Sequence, residues 1–168
     1  MKVIFLDIDG VLNTAGSPEN GGELIDHKKV EALSGLVEKT GAAVVLSSGW
    51  KLMFDSEMRP LTGEATLLFD AFLKFGVSIY GKTPDLSTQE IRKTHAFSKV
   101  KAKEIKAWLS ARGDIDGFIV IDDLDLNDEF INSRRVCVDG AFGLSDEDIR
   151  LAINMLLDDT EHNSVIND

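Results

Sequence analysis

The chain has a single cysteine, Cys137, in 168 residues, so an intramolecular disulfide is impossible. That fits a reducing compartment. No histidine or helix start lies near it to lower its pKa. It stands in an apolar run, Arg135-Val136-Cys137-Val138, which reads as buried strand, so Cys137 is expected in the core and not as a nucleophile. Long apolar runs are also missing. The first, Val3 to Leu6, is too short for a secretory signal core and ends in carboxylates. No stretch approaches the length that spans a bilayer. A soluble cytoplasmic protein with no membrane partner is therefore expected. Positive charge is scarce: 18 Lys and Arg stand against 29 Asp and Glu, for a formal net charge of −11. Such a surface repels nucleic acid and anionic membranes at long range, so stable binding of either is not expected. A small basic mouth for one phosphate remains compatible with it. No repeat or low-complexity segment is visible.

Apolar residues make up 43% of the chain, enough to bury a real interior. The length fits one domain, expected over residues 1–158, with a polar tail at 159–168. Val3 to Leu6, Ala42 to Leu46 and Phe118 to Ile121 read as strands buried on both faces. Val77 to Tyr80 and Arg135 to Val138 read as shorter strands. Helices are predicted over Leu24 to Thr40 (stopped by Gly41), Glu64 to Phe75, Ser98 to Arg112 and Ser145 to Leu157. In the last, Ser145 and Asp148 make a start like a capping box. Asp7 to Gly22 reads as loop, Ser47 to Arg59 as loop with a short helix, and Gly81 to Phe97 as polar and irregular. Asn127 to Asn132 reads as one helical turn. Strands alternating with helices predict an α/β fold: a Rossmann-like three-layer sandwich with a mostly parallel sheet.

Ligands of such sheets sit at the carboxyl ends of the strands. Those ends read Asp7-Ile8-Asp9-Gly10, Ser47-Ser48-Gly49 and Asp122-Asp123. Taken singly, an Asp after a strand often only caps a turn. Three acidic or hydroxyl-bearing ends on separate strands are less easily accidental. Carboxylates crowded into one crevice raise each other's pKa. A hard divalent cation relieves this, and Mg²⁺ prefers oxygen ligands together with waters and a phosphate. Asp7 and Asp123 are the natural ligands, with Asp122 binding directly or through water. Asp9 faces the substrate if the chain bends after Asp7, and its carbonyl then faces the metal.

In the helix from Ser98, Lys101 shares a face with Ile105, Trp108 and Leu109. It lies in the first turn, where a cation opposes the helix dipole by about 0.3–1 kcal/mol. A lysine against the dipole and on the inner stripe suggests that it neutralises carboxylates or phosphate. Lys99 and Lys103 point off that face, although Lys103 stays open as the alternative.

These residues resemble the four motifs of haloacid dehalogenase-like phosphatases. Leu6-Asp7-Ile8-Asp9-Gly10-Val11-Leu12 resembles the first, Val45-Leu46-Ser47 the second, Lys101 the third, and Ile121-Asp122-Asp123 the fourth in its paired-Asp form. Asp-Gly-Val-Leu-Asn, Ser-Ser-Gly-Trp-Lys and Tyr-Gly-Lys-Thr-Pro are similar to a subgroup that includes phosphatase-like domains of RNA-repair proteins. That subgroup often has Ser-Trp-Arg, where this chain has Gly49-Trp50-Lys51. The resemblance implies a Mg²⁺-dependent phosphomonoesterase acting through an aspartyl-phosphate. It casts Asp7 as nucleophile and Asp9 as general acid and base. Ser47, Ser48 and Lys101 would bind phosphate, and Asp7, Asp9, Asp122 and Asp123 the metal. Cap domains in the family enter between the first and second motifs or between the second and third. Here 37 residues separate Asp9 from Ser47, mostly used by one helix. Neither gap holds a full cap, so a minimal cap or none is expected. The open site suits a nucleotide or other small phosphoester, ranked first because of the acidic charge. A nucleic-acid end with a 3′-phosphate comes second, and an idle phosphate- or metal-binding module is the rival of another class. Lys51, Lys82, Arg92 and His95 are candidate substrate contacts.

Overall fold

The computed structural model describes residues 1–14 and 23–164, with side chains through 158. The predicted loop at 15–22 and the end of the tail, 165–168, lie outside the described residues. The strands are β1 (Lys2–Leu6), β2 (Ala43–Leu46), β3 (Ile79–Lys82), β4 (Gly117–Asp122) and β5 (Arg135–Cys137). They form one all-parallel sheet in the order β3-β2-β1-β4-β5. The order runs outward from β1 in one direction and then restarts on its other side with β4. That reversal is the topological switch point, where ligands of open α/β sheets bind.

The helices are α1 (His27–Thr40), α2 (Gly63–Lys74), α3 (Gln89–Thr94), α4 (Ser98–Ser110), α5 (Glu129–Asn132) and α6 (Asp146–Ser164). Alternate strand residues point to opposite faces, and both faces are covered. Ile4, Leu6, Val44, Leu46 and Ile121 share a core with α1, α2 and α6. Val3, Phe5, Val45 and Val120 share another with α4 and α5. Phe5 is the hub of the second core. Its ring meets Trp108 edge-on at 5.3 Å and Phe118 at 5.8 Å between centroids. Among the described residues no helix is long and apolar enough to cross a membrane.

Several boundaries differ from those expected. α1 starts at His27 because the Asp26 carboxylate accepts the Lys28 N–H at 2.9 Å and caps it there. Leu24 and Ile25 therefore reach the core from outside the helix. Gly41 ends it in the left-handed region, as its sequence position suggests. β3 begins two residues later than expected. The Val77 N–H is still bonded to Phe72 O at the end of α2, and the β2–β3 register shifts between Val44 and Val45. α3 occupies part of the stretch expected to be irregular. It buries no side chain, so it left no apolar periodicity to read. Ser145 and Asp148 do make the reciprocal capping bonds. The helix they start runs to Ser164, past the expected Leu157.

Cys137 is exposed, against expectation. Period two on β5 turns Val136 and Val138 inward and leaves the residue between them outside. Phe5→Ala should lower stability by about 3–5 kcal/mol, because its ring is fully buried between two aromatic neighbours. Urea denaturation measures this, and a loss below about 1 kcal/mol would contradict the packing.

Candidate active site

Backbone hydrogen bonds carry the sheet one residue beyond its strands at the switch point. The Asp7 N–H donates to Ile121 O at 3.0 Å, and the Ser47 N–H to Leu6 O at 3.0 Å. The first residues after β1 and β2 are thereby held beside the end of β4. The oxygens of Asp7, Asp122 and Asp123 come within 4.8 Å of one another.

Lys101 enters this cluster from the first turn of α4. Its ammonium donates to Asp7 Oδ2 at 2.6 Å and to Asp122 Oδ2 at 2.7 Å, and all three side chains are buried. Burial alone would lower the lysine pKa. The charges of Asp7 and Asp122 outweigh it, and the ammonium is held above its ordinary value. Burial first, then the charge of Asp7, pushes the Asp122 carboxyl up to about 6. The same two causes raise Asp123, which is half-buried. Lys103 is exposed, so the lysine at the cluster is Lys101.

Asp122 and Asp123 divide the work by geometry. Asp122 accepts from Lys101 with one oxygen and from the Leu124 N–H with the other, and does not line the cleft. Asp123 does line it. Two glycines leave room for Asp123. A Cβ at Gly10 would lie 2.4 Å from Asp123 Oδ2, and one at Gly140 would lie 2.5 Å from it. Gly10 also takes a left-handed φ of 75°, which reverses the chain after Asp9.

That reversal turns Asp9 away from the cluster. Ile8, Val11 and Leu12 are fully buried and anchor the turn. Asp9 stays exposed, with Oδ1 accepting from Asn13 Nδ2 at 2.9 Å and Oδ2 from the Trp50 indole N–H at 3.0 Å. Its side chain is not among the clustered carboxylates. Sequence reasoning met both residues in motifs but gave neither a role, since they come from a turn and from another strand end.

The hydroxyls differ too. Ser48 lines the cleft, and its Oγ accepts the Trp50 N–H at 3.3 Å, capping the 3₁₀ turn Gly49–Met53. Ser47 Oγ is buried with no hydrogen-bond partner. An unpaired buried hydroxyl costs about 1–3 kcal/mol, and Ser47, unlike Ser48, does not line the cleft.

Of the candidate substrate contacts, Arg92 and His95 line the cleft. The Arg92 guanidinium is paired with Asp85 and donates to Ser87 Oγ at 3.0 Å. Lys51 and Lys82 are not at the cleft. The Lys51 ammonium is buried against Glu104, with Thr83 Oγ1 at 3.2 Å, and burial holds its pKa below the ordinary value. Glu104 also accepts the Leu86 N–H at 2.9 Å. Lys82 donates to Lys51 O at 3.0 Å and to Phe54 O. These two lysines therefore brace the 3₁₀ turn that carries Trp50. In sequence they looked like substrate contacts only because a free cation and a buried one are written alike.

The donor set at the cluster is all hard oxygen, and two carboxylates there are raised first by burial and then by the charge of Asp7, so these residues fit Mg²⁺. Asp7 and Asp123 are the two that also face the cleft.

A parallel sheet with acidic strand ends at its switch point and a buried lysine from the β3–β4 crossover fits a Rossmann-like haloacid dehalogenase (HAD) domain, with no cap among the described residues. Residues 3–149 match the family model of the HAD domain in Swiss Army Knife RNA repair proteins, and the chain belongs to that family. HAD domains are generally phosphatase-type hydrolases and usually use Mg²⁺. No curated protein and no solved structure matches the chain significantly.

Lys51→Met should cost about 3–5 kcal/mol, because it strands the buried Glu104 carboxylate. Adding Glu104→Met should recover most of that loss in the same denaturation assay. If the single variant unfolds like the parent protein, the brace is misassigned.

Proposed function

We propose that the chain is a Mg²⁺-dependent phosphomonoesterase acting through an aspartyl-phosphate on Asp7. The observation that carries this reading is the Asp7 carboxylate: it opens onto the cleft from the central strand and is hydrogen-bonded to the buried Lys101.

In the first step an Asp7 oxygen attacks the phosphorus and the bond from phosphorus to the ester oxygen breaks. Asp9 gives its proton to the departing oxygen. In the second step Asp9 takes a proton from water, the water oxygen attacks the phosphorus, and the bond to Asp7 breaks to release phosphate. The Trp50 and Asn13 donors hold both Asp9 oxygens and fix the carboxyl at the cleft. Lys101 offsets the negative charge that gathers at Asp7 and the phosphoryl oxygens. Ser47 Oγ, unpaired within the protein, and Ser48 are suited to donate to those oxygens. Asp7 and Asp123 would hold Mg²⁺, with Asp122 acting through Lys101. When bound, the ion supplies the positive charge that lets an anionic nucleophile approach an anionic phosphate.

The substrate is a terminal phosphate on an RNA strand. The family description supports this, as does the lack of a cap among the described residues, which leaves a cleft of about 820 Å³. A free nucleotide is the second reading, favoured by the net charge of −11, which repels a polyanion. Sequence alone ranked these two in the opposite order.

Asp7→Asn should abolish phosphate release from a 3′-phosphorylated oligonucleotide and from a nucleotide panel. Chelation by EDTA should do the same, with Mg²⁺ restoring turnover. Wild-type rates in Asp7→Asn would remove the nucleophile assignment, and turnover confined to free nucleotides would restore the second reading. Trp50→Phe should lower kcat about ten-fold or more with KM changed less, because one charge-assisted hydrogen bond to Asp9 is lost. An unchanged kcat in steady-state kinetics would show that this bond does not position Asp9.

A further inference from the structure

The chemistry above uses one part of the cleft and leaves the rest without a role. Much of that remainder is apolar or aromatic: Leu52, Met53, His95, Phe97 and Leu124 line the same cavity as Asp7 and Lys101, beside Ser98 and the Arg92 already paired with Asp85. Leu52 and Leu124 are 39% and 44% exposed, so the surface is open there, while Met53 packs its inner side against the core. Phosphate transfer needs none of it.

The two rings are held in place by the backbone. Phe97 stands immediately before α4, and its ring lies against Gly49, where a Cβ would sit 3.1 Å from it. Only glycine at position 49 admits that approach without displacing the ring. His95 has a left-handed φ of 54°, uncommon outside glycine, and its N–H closes α3 on Ile91 O. The Phe97 N–H donates to His95 O at 2.9 Å. The rings meet edge to face, 6.1 Å apart. A closing role for α3 accounts for the backbone of His95. It does not account for two rings facing the cleft from a segment whose helix buries no side chain.

We propose that this wall stacks the base of the nucleotide that carries the scissile phosphate. Phe97 and His95 supply the ring faces and edges, and Leu52, Met53 and Leu124 the apolar surround. Bases splayed from a strand are stacked on Phe and His side chains in this manner, and such contacts tolerate any base because every base has a π face. Position supports the assignment. Phe97 is the N-cap of α4, one turn before Lys101, a backbone rise of about 6 Å, and both line one cavity, so a nucleotide whose phosphate meets Lys101 has its base near the wall. The assignment rests on the phosphatase reading and adds a base-dependent, base-tolerant specificity to it.

The experiment pairs Phe97→Leu, which keeps an apolar side chain against Gly49, with His95→Asn, which tolerates the left-handed backbone. kcat/KM is measured for a mononucleotide, a 3′-phosphorylated oligonucleotide and glycerol phosphate, which has no base. In the double variant both nucleotide substrates should lose about ten-fold or more relative to glycerol phosphate, mainly through KM, as expected for one or two lost stacking contacts. The faster of the two parent substrates identifies the source of the base. Equal losses on all three substrates, or no loss on either nucleotide substrate, overturn the proposal. Calorimetric binding to Asp7→Asn tests the wall without turnover. A mononucleotide should bind at least ten-fold tighter than glycerol phosphate, and the added Phe97→Leu should erase that difference. Equal binding overturns the wall even if the enzyme turns over phosphoesters. Preferential binding with no turnover by the parent protein upholds the wall and removes the phosphatase reading.

Discussion

Three buried charges organise this protein: Lys101 between Asp7 and Asp122. Each would be costly to bury alone, and only their mutual contact makes them tolerable in the interior. The contact ties α4 to the ends of β1 and β4 across the switch point of the sheet. It therefore fixes the Asp7 and Asp122 carboxylates against the first turn of α4, at the edge where the cleft opens. The ammonium does not balance the whole cluster, because Asp123 adds a third carboxylate within 4.8 Å. The remaining negative charge favours a divalent cation, and burial makes that preference strong by weakening screening.

Around this centre the chain spends small residues and buried pairs on position. Gly10 and Gly140 flank Asp123 closely enough that neither tolerates a Cβ without displacing its carboxylate. Ile8, Val11 and Leu12 pin the turn that separates Asp7 from Asp9, so two carboxylates two residues apart face different surroundings. Lys51 and Glu104 form a second buried pair, one helical turn along α4 from Lys101. That pair and Lys82 brace the 3₁₀ turn whose Trp50 reaches Asp9. Both buried pairs use α4, so the helix that delivers Lys101 also locates the partner of Asp9.

Much of this architecture was legible before any coordinates. Short apolar runs ended by Asp or Ser, joined by helices, imply a parallel sheet with those residues at one edge. Lys101 could be read because its spacing to Ile105 and Trp108 put it on a buried stripe. Other features were hidden for identifiable reasons. α3 has no buried face and hence no period. Cys137 looked internal because an apolar run on an edge strand resembles one in the sheet centre, although one side of β5 faces outward there. Lys51 and Lys82 looked like substrate contacts because sequence does not show whether a charge has already found a partner.

The sequence by itself determined the order of the strands and of the helices packed on them, the acidic strand ends and the lysine that shares their edge, because these depend on local periodicity and on parallel strands ending on one side. Tertiary structure alone decided which lysines are braces, which oxygens of the paired aspartates are already engaged, and that Trp50 and Asn13 hold Asp9. Those facts are contacts between residues distant in sequence. Their energies depend on burial and separation in space, which no local pattern encodes.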